Sequence, residues 1–289
     1  MKILVTGASG MLGRDVMLAA ENAGHEVGGY DHSGLDVTDP EQLRRRMNID
    51  RPDAVINCAA WTDVDGAESQ EEGAFEVNAT GAGNVAAAAE QVGAKMLFVS
   101  TDYVFNGGKS DPYVETDLPA PISAYGRSKL AGEQATIEAN RRSFVVRTAG
   151  LFGIGGPNFV DTMLRLGKGG EVLVVHDQVT SPTYTWHLAY GLIRLLDSDS
   201  FGLHHMAAGG SCTWYDFARE IFERSEMEVT TLGATSDMLS RAAPRPANSA
   251  LASQIRHAIE LPSWQDGLTS YLAQREATAQ AAQGEGESE

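Results

Sequence analysis

The segment that most constrains the fold is Thr-Gly-Ala-Ser-Gly-Met-Leu-Gly at residues 6–13, directly after the apolar run at 3–5. This arrangement predicts a strand, a tight turn and the start of a helix. Gly7 permits the turn, Gly10 lets the backbone approach a pyrophosphate, and Gly13 lets helix and strand pack closely. The helix N-terminus offers free N–H groups to phosphates. An ordinary glycine-rich turn remains the alternative, because 31 glycines can produce this spacing by chance.

The composition is typical of a globular protein and limits its partners. The chain has 289 residues, 43% hydrophobic and 21% charged, enough for one or two domains. No run of 18 apolar residues occurs, so we expect no transmembrane helix and no membrane partner. The net charge of −17 argues against a nucleic-acid partner. A local group of N–H donors and arginines can still bind a phosphorylated ligand.

The first residues and the cysteines predict a cytoplasmic protein. Met1-Lys2 leads directly into the first apolar run, which leaves no room for a signal peptide. Cys58 and Cys212 are the only cysteines, and two isolated thiols indicate a reducing compartment.

The first half alternates short apolar runs with helical stretches, which predicts an α/β fold with a doubly wound parallel sheet. The predicted strands are Lys2–Thr6, Glu26–Tyr30, Ala54–Cys58, Lys95–Ser100 and Ser143–Arg147. The predicted helices are Leu12–Ala23, Pro40–Asn48, Glu72–Val92 and Ala124–Asn140.

The pattern becomes irregular after residue 150, which predicts a second, smaller lobe. Helices are expected at 159–166, 185–196, 214–224 and 264–272, separated by proline- and glycine-containing loops. We predict an NAD(P)-binding Rossmann-type domain over 1–150, with about 186–208 added. The expected α/β substrate-binding lobe comprises 151–185 and 209–274, and 275–289 is expected to be a disordered tail. Ligands would bind between the two, at the carboxyl ends of the strands.

Tyr125 and Lys129 are the residues best suited to catalysis. They are four apart at the start of a predicted helix and share one face of it. A lysine ammonium lowers the pKa of a neighbouring phenol, which could then exchange a proton with a carbonyl oxygen. The hydroxyl of Thr101, at the end of a predicted strand, could bind the same oxygen. The alternative is a surface pair, because Tyr and Lys at this spacing occur on many helices.

Taken together, these motifs resemble the dTDP-4-dehydrorhamnose reductase family, a group of extended short-chain dehydrogenases/reductases. The resemblance covers most of residues 1–250. The matching segments are Met1–Val16, Leu35–Asp39, Pro52–Ala60, Ser100–Phe105, Ala124–Glu133, Asn158–Leu166, Asp177-Gln178 with Ser181–Thr183, and Arg245-Pro246.

The resemblance implies reduction of the 4-keto group of dTDP-4-dehydro-6-deoxy-L-mannose to give dTDP-L-rhamnose. It makes Tyr125 the proton donor, Lys129 the group that binds the nicotinamide ribose and tunes Tyr125, and Thr101 the group that orients the keto oxygen. The further cofactor contacts it implies are Gly7, Gly10, Met11, Leu12 and Gly13 at the pyrophosphate, Asp36 and Val37 at the adenine, and Ala59 and Ala60 along the cofactor. The expected substrate contacts are Thr101, Asp102, Tyr103, Val104, Phe105, Gln178 and Arg245, with Ser181 and Thr183 also near the cleft.

Asp31 bears on the choice between NADH and NADPH. It stands where an acidic side chain binds the adenosine ribose, and a carboxylate there repels a 2′-phosphate. NADH is therefore slightly favoured, although many members of the family have an arginine where this chain has His32. An alternative is that Asp31 only begins a polar loop.

Two differences narrow the choice of reaction. Many members of the family carry Ser-Trp where this chain has Ala149-Gly150, which leaves the sugar less certain. Nucleotide-sugar dehydratases have Asp-Glu after the threonine, whereas Asp102-Tyr103 lacks the second carboxylate needed to remove water. Another nucleotide-sugar 4-ketoreductase or epimerase remains an alternative. A non-catalytic subunit, like the regulatory subunit of methionine adenosyltransferase, is another.

The remaining candidate residues show no pattern that indicates catalysis or metal binding. His204 and His205 are adjacent and would point to opposite faces of a strand, and we expect no metal site. Trp214 and Tyr215 are read as core residues of a helix. Arg245 is read as a phosphate-binding or a surface arginine. The resemblance leaves open whether the protein forms a homodimer.

Overall fold

The computed structural model describes residues 1–286, with side chains through residue 281. Its strands are β1 Lys2–Thr6, β2 Glu26–Tyr30, β3 Ala54–Asn57, β4 Lys95–Thr101, β5 Ser143–Thr148, β6 Leu151–Phe152, β7 Glu171–Val175, β8 Val179–Thr180, β9 Thr183–Tyr184, β10 Gly202–His205, β11 Cys212–Thr213 and β12 Thr230–Ala234. Its α-helices are α1 Met11–Asn22, α2 Pro40–Asp50, α3 Val64–Ser69, α4 Glu71–Phe75, α5 Ala82–Gln91, α6 Ala124–Ala139, α7 Phe159–Gly167, α8 Thr185–Leu196, α9 Trp214–Arg224 and α10 Trp264–Gly286.

The predicted α/β fold is confirmed. Six parallel strands form one sheet in the order β10-β5-β4-β3-β1-β2. Apolar side chains cover both faces, with Val16 and Leu192 from α1 and α8 in one cluster and Leu43 and Val85 from α2 and α5 in the other. Burial on both faces explains why the strands are nearly continuous apolar runs. All carboxyl ends of the strands therefore meet at one edge of the sheet.

The second half of the chain contributes to the central sheet and also forms a separate region with its own core. Strand β10 is an edge strand of the central sheet, and α8 packs against α1. The remaining strands form three two-stranded sheets: β11-β8, β12-β7 and β6-β9. A separate core surrounds Phe152, Phe217 and Tyr271. Assignment of 1–150 with 186–208 to one domain, and of 151–185 with 209–274 to the other, stays a prediction.

The helix predicted over 72–92 is interrupted. A π-helical segment, Glu76–Gly81, separates α4 from α5. Within it, Asn78 accepts a hydrogen bond from the Trp61 amide at 2.8 Å and donates to the Trp61 carbonyl at 3.1 Å and to Ser128 Oγ at 3.0 Å. These bonds join the segment after β3 to α6, and such partners are distant in sequence.

The expectation that 275–289 is disordered is not met for 275–286, where α10 continues to Gly286. Trp264, Leu268 and Tyr271 anchor the first turns of this helix in the core. The following residues are rich in Ala, Gln and Glu, which propagate a helix that is already started. Arg275 also pairs with Asp161 at 2.8 Å. Residues 287–289 lie outside the described part of the chain.

Among the helices of residues 1–286, none has the length and apolar character needed to cross a membrane.

Candidate active site

A cavity of about 970 Å³ opens at the carboxyl edge of the sheet. Its walls are segments that leave four neighbouring strands together with loops of the second half. These segments are the glycine turn after β1, Cys58–Thr62 after β3, Ser100–Tyr103 at the end of β4, Thr148–Leu151 around the end of β5, and Gln178–Thr180. This volume lies at the upper end of the range of small-molecule and cofactor pockets.

The glycine turn has the geometry expected of a phosphate-binding turn. Gly7 has a φ of +67°, and a Cβ there would lie 2.6 Å from the Ala59 amide nitrogen. A Cβ on Gly13 would overlap the carbonyl oxygen of Gly7. Helix α1 begins at Met11, so its first N–H groups lack partners within the helix and can bind an anion. The turn therefore fits a dinucleotide diphosphate, because Gly7 and Gly13 carry no Cβ at these close backbone contacts.

The predicted adenine end of the cofactor site lies in the same cavity. Asp36, Val37, Ala59 and Ala60 all line it, as does His32. Asp36 accepts hydrogen bonds from the amide and hydroxyl of Thr38, which lower the pKa of its carboxyl group.

Asp31 is exposed and does not line the cavity. Its carboxylate accepts hydrogen bonds from Ser33 Oγ at 2.7 Å and from the Gly34 amide at 3.0 Å. These bonds lower the pKa of Asp31, which is therefore ionised at neutral pH. Its carboxylate thus closes the loop after β2, and its role in the choice of cofactor stays a prediction.

Thr101, Tyr125 and Lys129 line one part of the cavity. Thr101 ends β4, whereas Tyr125 and Lys129 lie on the first two turns of α6, whose N-cap Ser123 accepts a hydrogen bond from the Gly126 amide. Lys129 Nζ donates to the Val99 carbonyl at 2.6 Å. A phenol, an ammonium and a hydroxyl thus face the same space, as Tyr-x-x-x-Lys after a strand-end threonine predicts.

The prediction that Lys129 lowers the pKa of Tyr125 is wrong in this structure. Burial raises the pKa of Tyr125 above its ordinary value, and a hydrogen bond with Thr101 only partly opposes this shift. Burial also lowers the pKa of Lys129, to about 8. The ammonium is directed to Val99 and to the face of the Phe98 ring, 4.1 Å away. Tyr125 is consequently a neutral phenol, the form that can donate a proton.

Asp102 and Tyr103 follow Thr101 into the cavity. The Thr101 hydroxyl donates to Asp102 Oδ1 at 3.0 Å, and burial raises the pKa of Asp102 to about 6. The ring of Tyr103 packs edge-on against that of Tyr125, with centroids 5.9 Å apart. Burial raises the pKa of Tyr103 to about 12. Both residues can therefore meet a ligand in front of Tyr125.

Val104 and Phe105 do not face the cavity, contrary to the expectation that they contact substrate. Both are fully buried and pack in a small core with Tyr113 and Leu251. The short 3₁₀ turn at Asp102–Val104 directs the chain inward after Tyr103. These two side chains support the loop from behind.

Arg245 also differs from its expected role, since its guanidinium is paired with a carboxylate. It donates to Asp65 at 2.7 and 3.1 Å and to the Ala243 carbonyl at 3.0 Å. The pair lowers the pKa of Asp65 to about 2. Pro246, rather than Arg245, lines the cavity. A sequence pattern cannot show this partner, which lies 180 residues away.

Gln178 lines the cavity as predicted from the resemblance, and its side-chain amide donates to Ser236 Oγ at 2.8 Å. Ser181 and Thr183 are fully buried and do not line it.

Trp214 packs against the second core, as predicted, and it also lines the cavity together with Phe159. The two rings pack with centroids 4.6 Å apart. Trp214 is the first residue of α9, directly after the N-cap Thr213. Its position at the start of a helix was the sequence feature that could have indicated a cavity contact, because a side chain there can reach beyond the helix end. Tyr215 packs at the edge of the second core, as expected of a helix residue.

Among the side chains that the structure describes, through residue 281, no group of three or more His, Cys, Asp or Glu is arranged to hold a metal ion.

The fold and the cavity define a Rossmann-type protein of the extended short-chain dehydrogenase/reductase class. A family model described as the RmlD substrate binding domain matches residues 1–277, and the chain belongs to that family.

Similar proteins cover nearly the whole chain. The spore coat polysaccharide biosynthesis protein SpsK of Bacillus subtilis is 39% identical, over 95% of this chain and 98% of that protein. The dTDP-4-dehydrorhamnose reductase of Mycolicibacterium smegmatis is 42% identical, over 97% of this chain and 84% of that protein. A crystal structure of dTDP-4-dehydrorhamnose reductase from Bacillus anthracis in complex with NADP superposes with a TM-score of 0.92 at 39% identity, covering 94% of this chain and 99% of that one.

Proposed function

We propose that this protein reduces the 4-keto group of dTDP-4-dehydro-6-deoxy-L-mannose with NAD(P)H to give dTDP-L-rhamnose. The carrying observation is that Thr101, Tyr125 and Lys129 face one cavity that also contains the glycine turn. Membership in the RmlD family, and relatives named dTDP-4-dehydrorhamnose reductase, support this substrate. We propose that Asp102, Tyr103 and Gln178 contact the sugar nucleotide.

The protein's own residues bind the reactants and supply one proton. When bound, the reduced nicotinamide supplies the hydride that adds to the carbonyl carbon. The hydroxyl of Thr101, which donates to Asp102 in this structure, turns to donate to the keto oxygen and orients it. The neutral phenol of Tyr125 then protonates the oxygen as it becomes an alkoxide. Lys129, whose buried ammonium lies at the wall of the same cavity, would hold the nicotinamide ribose.

The variant Y125F tests the proton donor. Loss of the phenol hydroxyl should lower kcat/KM for the keto sugar by about 10²–10⁴-fold, because general acid catalysis contributes about this much. NAD(P)H binding, measured by fluorescence titration, should remain close to wild type, because the ring stays in place. The variant Y190F, on the exposed face of α8, is the matched control. Wild-type turnover by Y125F would contradict the assignment.

We propose that the enzyme accepts both NADH and NADPH with a slight preference for NADH. The support is the ionised carboxylate of Asp31 after β2, which would repel a 2′-phosphate. The variant D31A should therefore shift the ratio of kcat/KM values toward NADPH by several-fold. The control is D53A, because Asp53 is also an exposed carboxylate next to the sheet. A ratio unchanged in D31A argues against any role for this carboxylate in cofactor choice.

A second candidate is another nucleotide-sugar 4-ketoreductase. A relative from Streptomyces niveus named dTDP-4-keto-6-deoxy-D-glucose reductase is 41% identical, over 76% of this chain and 77% of that protein. Ala149 and Gly150 in the cavity wall leave the sugar side open at the place where many members of the family have a ring. Parallel assays with the two keto sugars separate the candidates. Cofactor binding without turnover of either sugar would instead favour a non-catalytic subunit, and light scattering would distinguish a monomer from a homodimer.

A further inference from the structure

A buried ionic network lies behind the catalytic residues. Ser100, Lys129, Glu133 and Arg147 are each no more than 4% exposed. Arg147 donates from Nε to Glu133 Oε1 at 2.8 Å and from a terminal nitrogen to Oε2 at 2.7 Å. Ser100 donates to the same Oε1 at 2.6 Å. Burying such charges costs free energy, and the mechanism above uses only one of the three.

The network reaches the cavity through two of its members. Ser100 and Lys129 line the cavity, whereas Glu133 and Arg147 lie behind them. Glu133 follows Lys129 by one turn of α6, so their side chains share a helix face. The Glu133 carboxylate opposes the effect of burial on the Lys129 pKa.

We propose that Glu133 is a positioning residue for Lys129, keeping the buried ammonium charged and in place at the cavity wall. Its two bonds from Arg147 fix the carboxylate in one orientation, and its bond from Ser100 connects it to the strand end that carries Thr101. The titratable groups that act on Lys129 are Glu133 from α6 and Cys58 after β3. Arg147 on β5 is paired with Glu133. Glu133 acts on the reaction only through Lys129.

The charge state of Lys129 can be measured without any substrate. The chain has five lysines, so lysine labelled with ¹³C at Cε gives a simple NMR spectrum, in which K129M identifies the Lys129 signal. In E133Q the titration midpoint of Lys129 should fall by about one pH unit, because an opposite charge has been removed from a buried cation. The variant E138Q, on the exposed end of the same helix, should leave the midpoint unchanged.

A second variant keeps the test decisive. E133Q leaves Arg147 buried without its partner, so E133Q/R147M, which replaces both charges by uncharged side chains, is measured beside it. Its Lys129 midpoint should also lie below that of the wild type, because Glu133 is the nearer charge. An unchanged midpoint in the double variant overturns the proposal, whether or not E133Q folds.

The effect on turnover rests on the proposed function. The alkaline limb of the pH profile of kcat/KM should move to lower pH in the double variant, in parallel with the NMR midpoint. A wild-type protein that fails to reduce the keto sugar counts against the proposed function and leaves the titration valid. Turnover with an unmoved alkaline limb overturns the inference and leaves the proposed function intact.

Discussion

Asp102 is a carboxyl group held where water barely reaches it, with 4% of its surface exposed. Hydrogen bonds from Thr101 and Ser249 favour its ionised form, but burial outweighs them and raises its pKa to about 6. At neutral pH the folded protein therefore carries an ionised group that would be better solvated in the unfolded chain. A residue that destabilises the fold yet faces a ligand cavity is typical of functional sites.

The variant D102N should be more stable than the wild type at pH 8. The pKa of Asp102 is raised from 3.8 to about 6, so its ionisation opposes folding above pH 6 by about 3 kcal/mol. The advantage of D102N should shrink as the pH falls through 6 and vanish near pH 4, where the carboxyl is neutral in both states. Urea unfolding at several pH values measures it.

D111N, which removes an exposed carboxylate, is the control for D102N. A D102N protein less stable than the wild type at pH 8 would show that the carboxylate is better stabilised than its burial indicates.

At the level of elements, α6 packs unusually close to the π-helical segment. Gly132 on α6 makes this possible, because a Cβ there would overlap the backbone carbonyl oxygen of Asn78 and lie 3.0 Å from the Phe98 ring. Backbone atoms cannot move aside as a side-chain end can. The position of α6, and with it that of Tyr125, therefore depends on Gly132 having no side chain.

The variant G132A should destabilise the protein by about 1–3 kcal/mol, because the added methyl overpacks against backbone. G73A on α4 is the matched control: its Cβ would meet the Trp61 ring at 3.4 Å, an ordinary contact. Since Ala is the better helix former, G73A should be neutral or stabilising by up to about 1 kcal/mol. Thermal unfolding measures the stability of both variants. Equal changes in stability would show that α6 can shift to accommodate the added methyl group.

Features that depend only on residues close together in the sequence could be predicted from it. The glycine turn, the parallel strands and the shared face of Tyr125 and Lys129 follow from spacing alone. The π-helical segment could not be predicted, because its Asn78 bonds to Trp61 and Ser128 across the fold. The Asp65 partner of Arg245 was missed for the same reason.

For the molecule as a whole, Asp65 joins the two halves of the chain. Its carboxylate on α3 accepts bonds from the Arg245 side chain and from the Ala243 amide, both far along the chain. Val64 and Pro246, next to these partners, both line the cavity. The pair therefore closes one rim of the proposed substrate site.

The variant D65N should lower the free energy of unfolding by about 1 kcal/mol at pH 7, since the 42% exposed Asp65 side chain is partly screened by solvent. The lowered pKa of Asp65 means that its stabilisation is present above pH 4 and lost as the pH falls toward 2. The stability difference between wild type and D65N should shrink over that range. Chemical unfolding as a function of pH measures this.

E71Q, which removes an exposed ion pair with Arg127 within the first half, is the control and should change stability by less. If D65N and E71Q lower the free energy of unfolding equally, the ion pair between the two halves contributes no more stability than an ordinary surface ion pair.

The side chain of Asn78 has one more consequence. It forms hydrogen bonds with the backbone amide and carbonyl of Trp61 and with the side chain of Ser128, three residues after Tyr125. The loop bearing Ala59-Ala60 and the helix bearing the acid are thus one mechanical unit, and a thermal fluctuation that displaces one carries the other with it. The distance from Tyr125 to the cavity wall formed by Ala59 and Ala60 is thereby restrained.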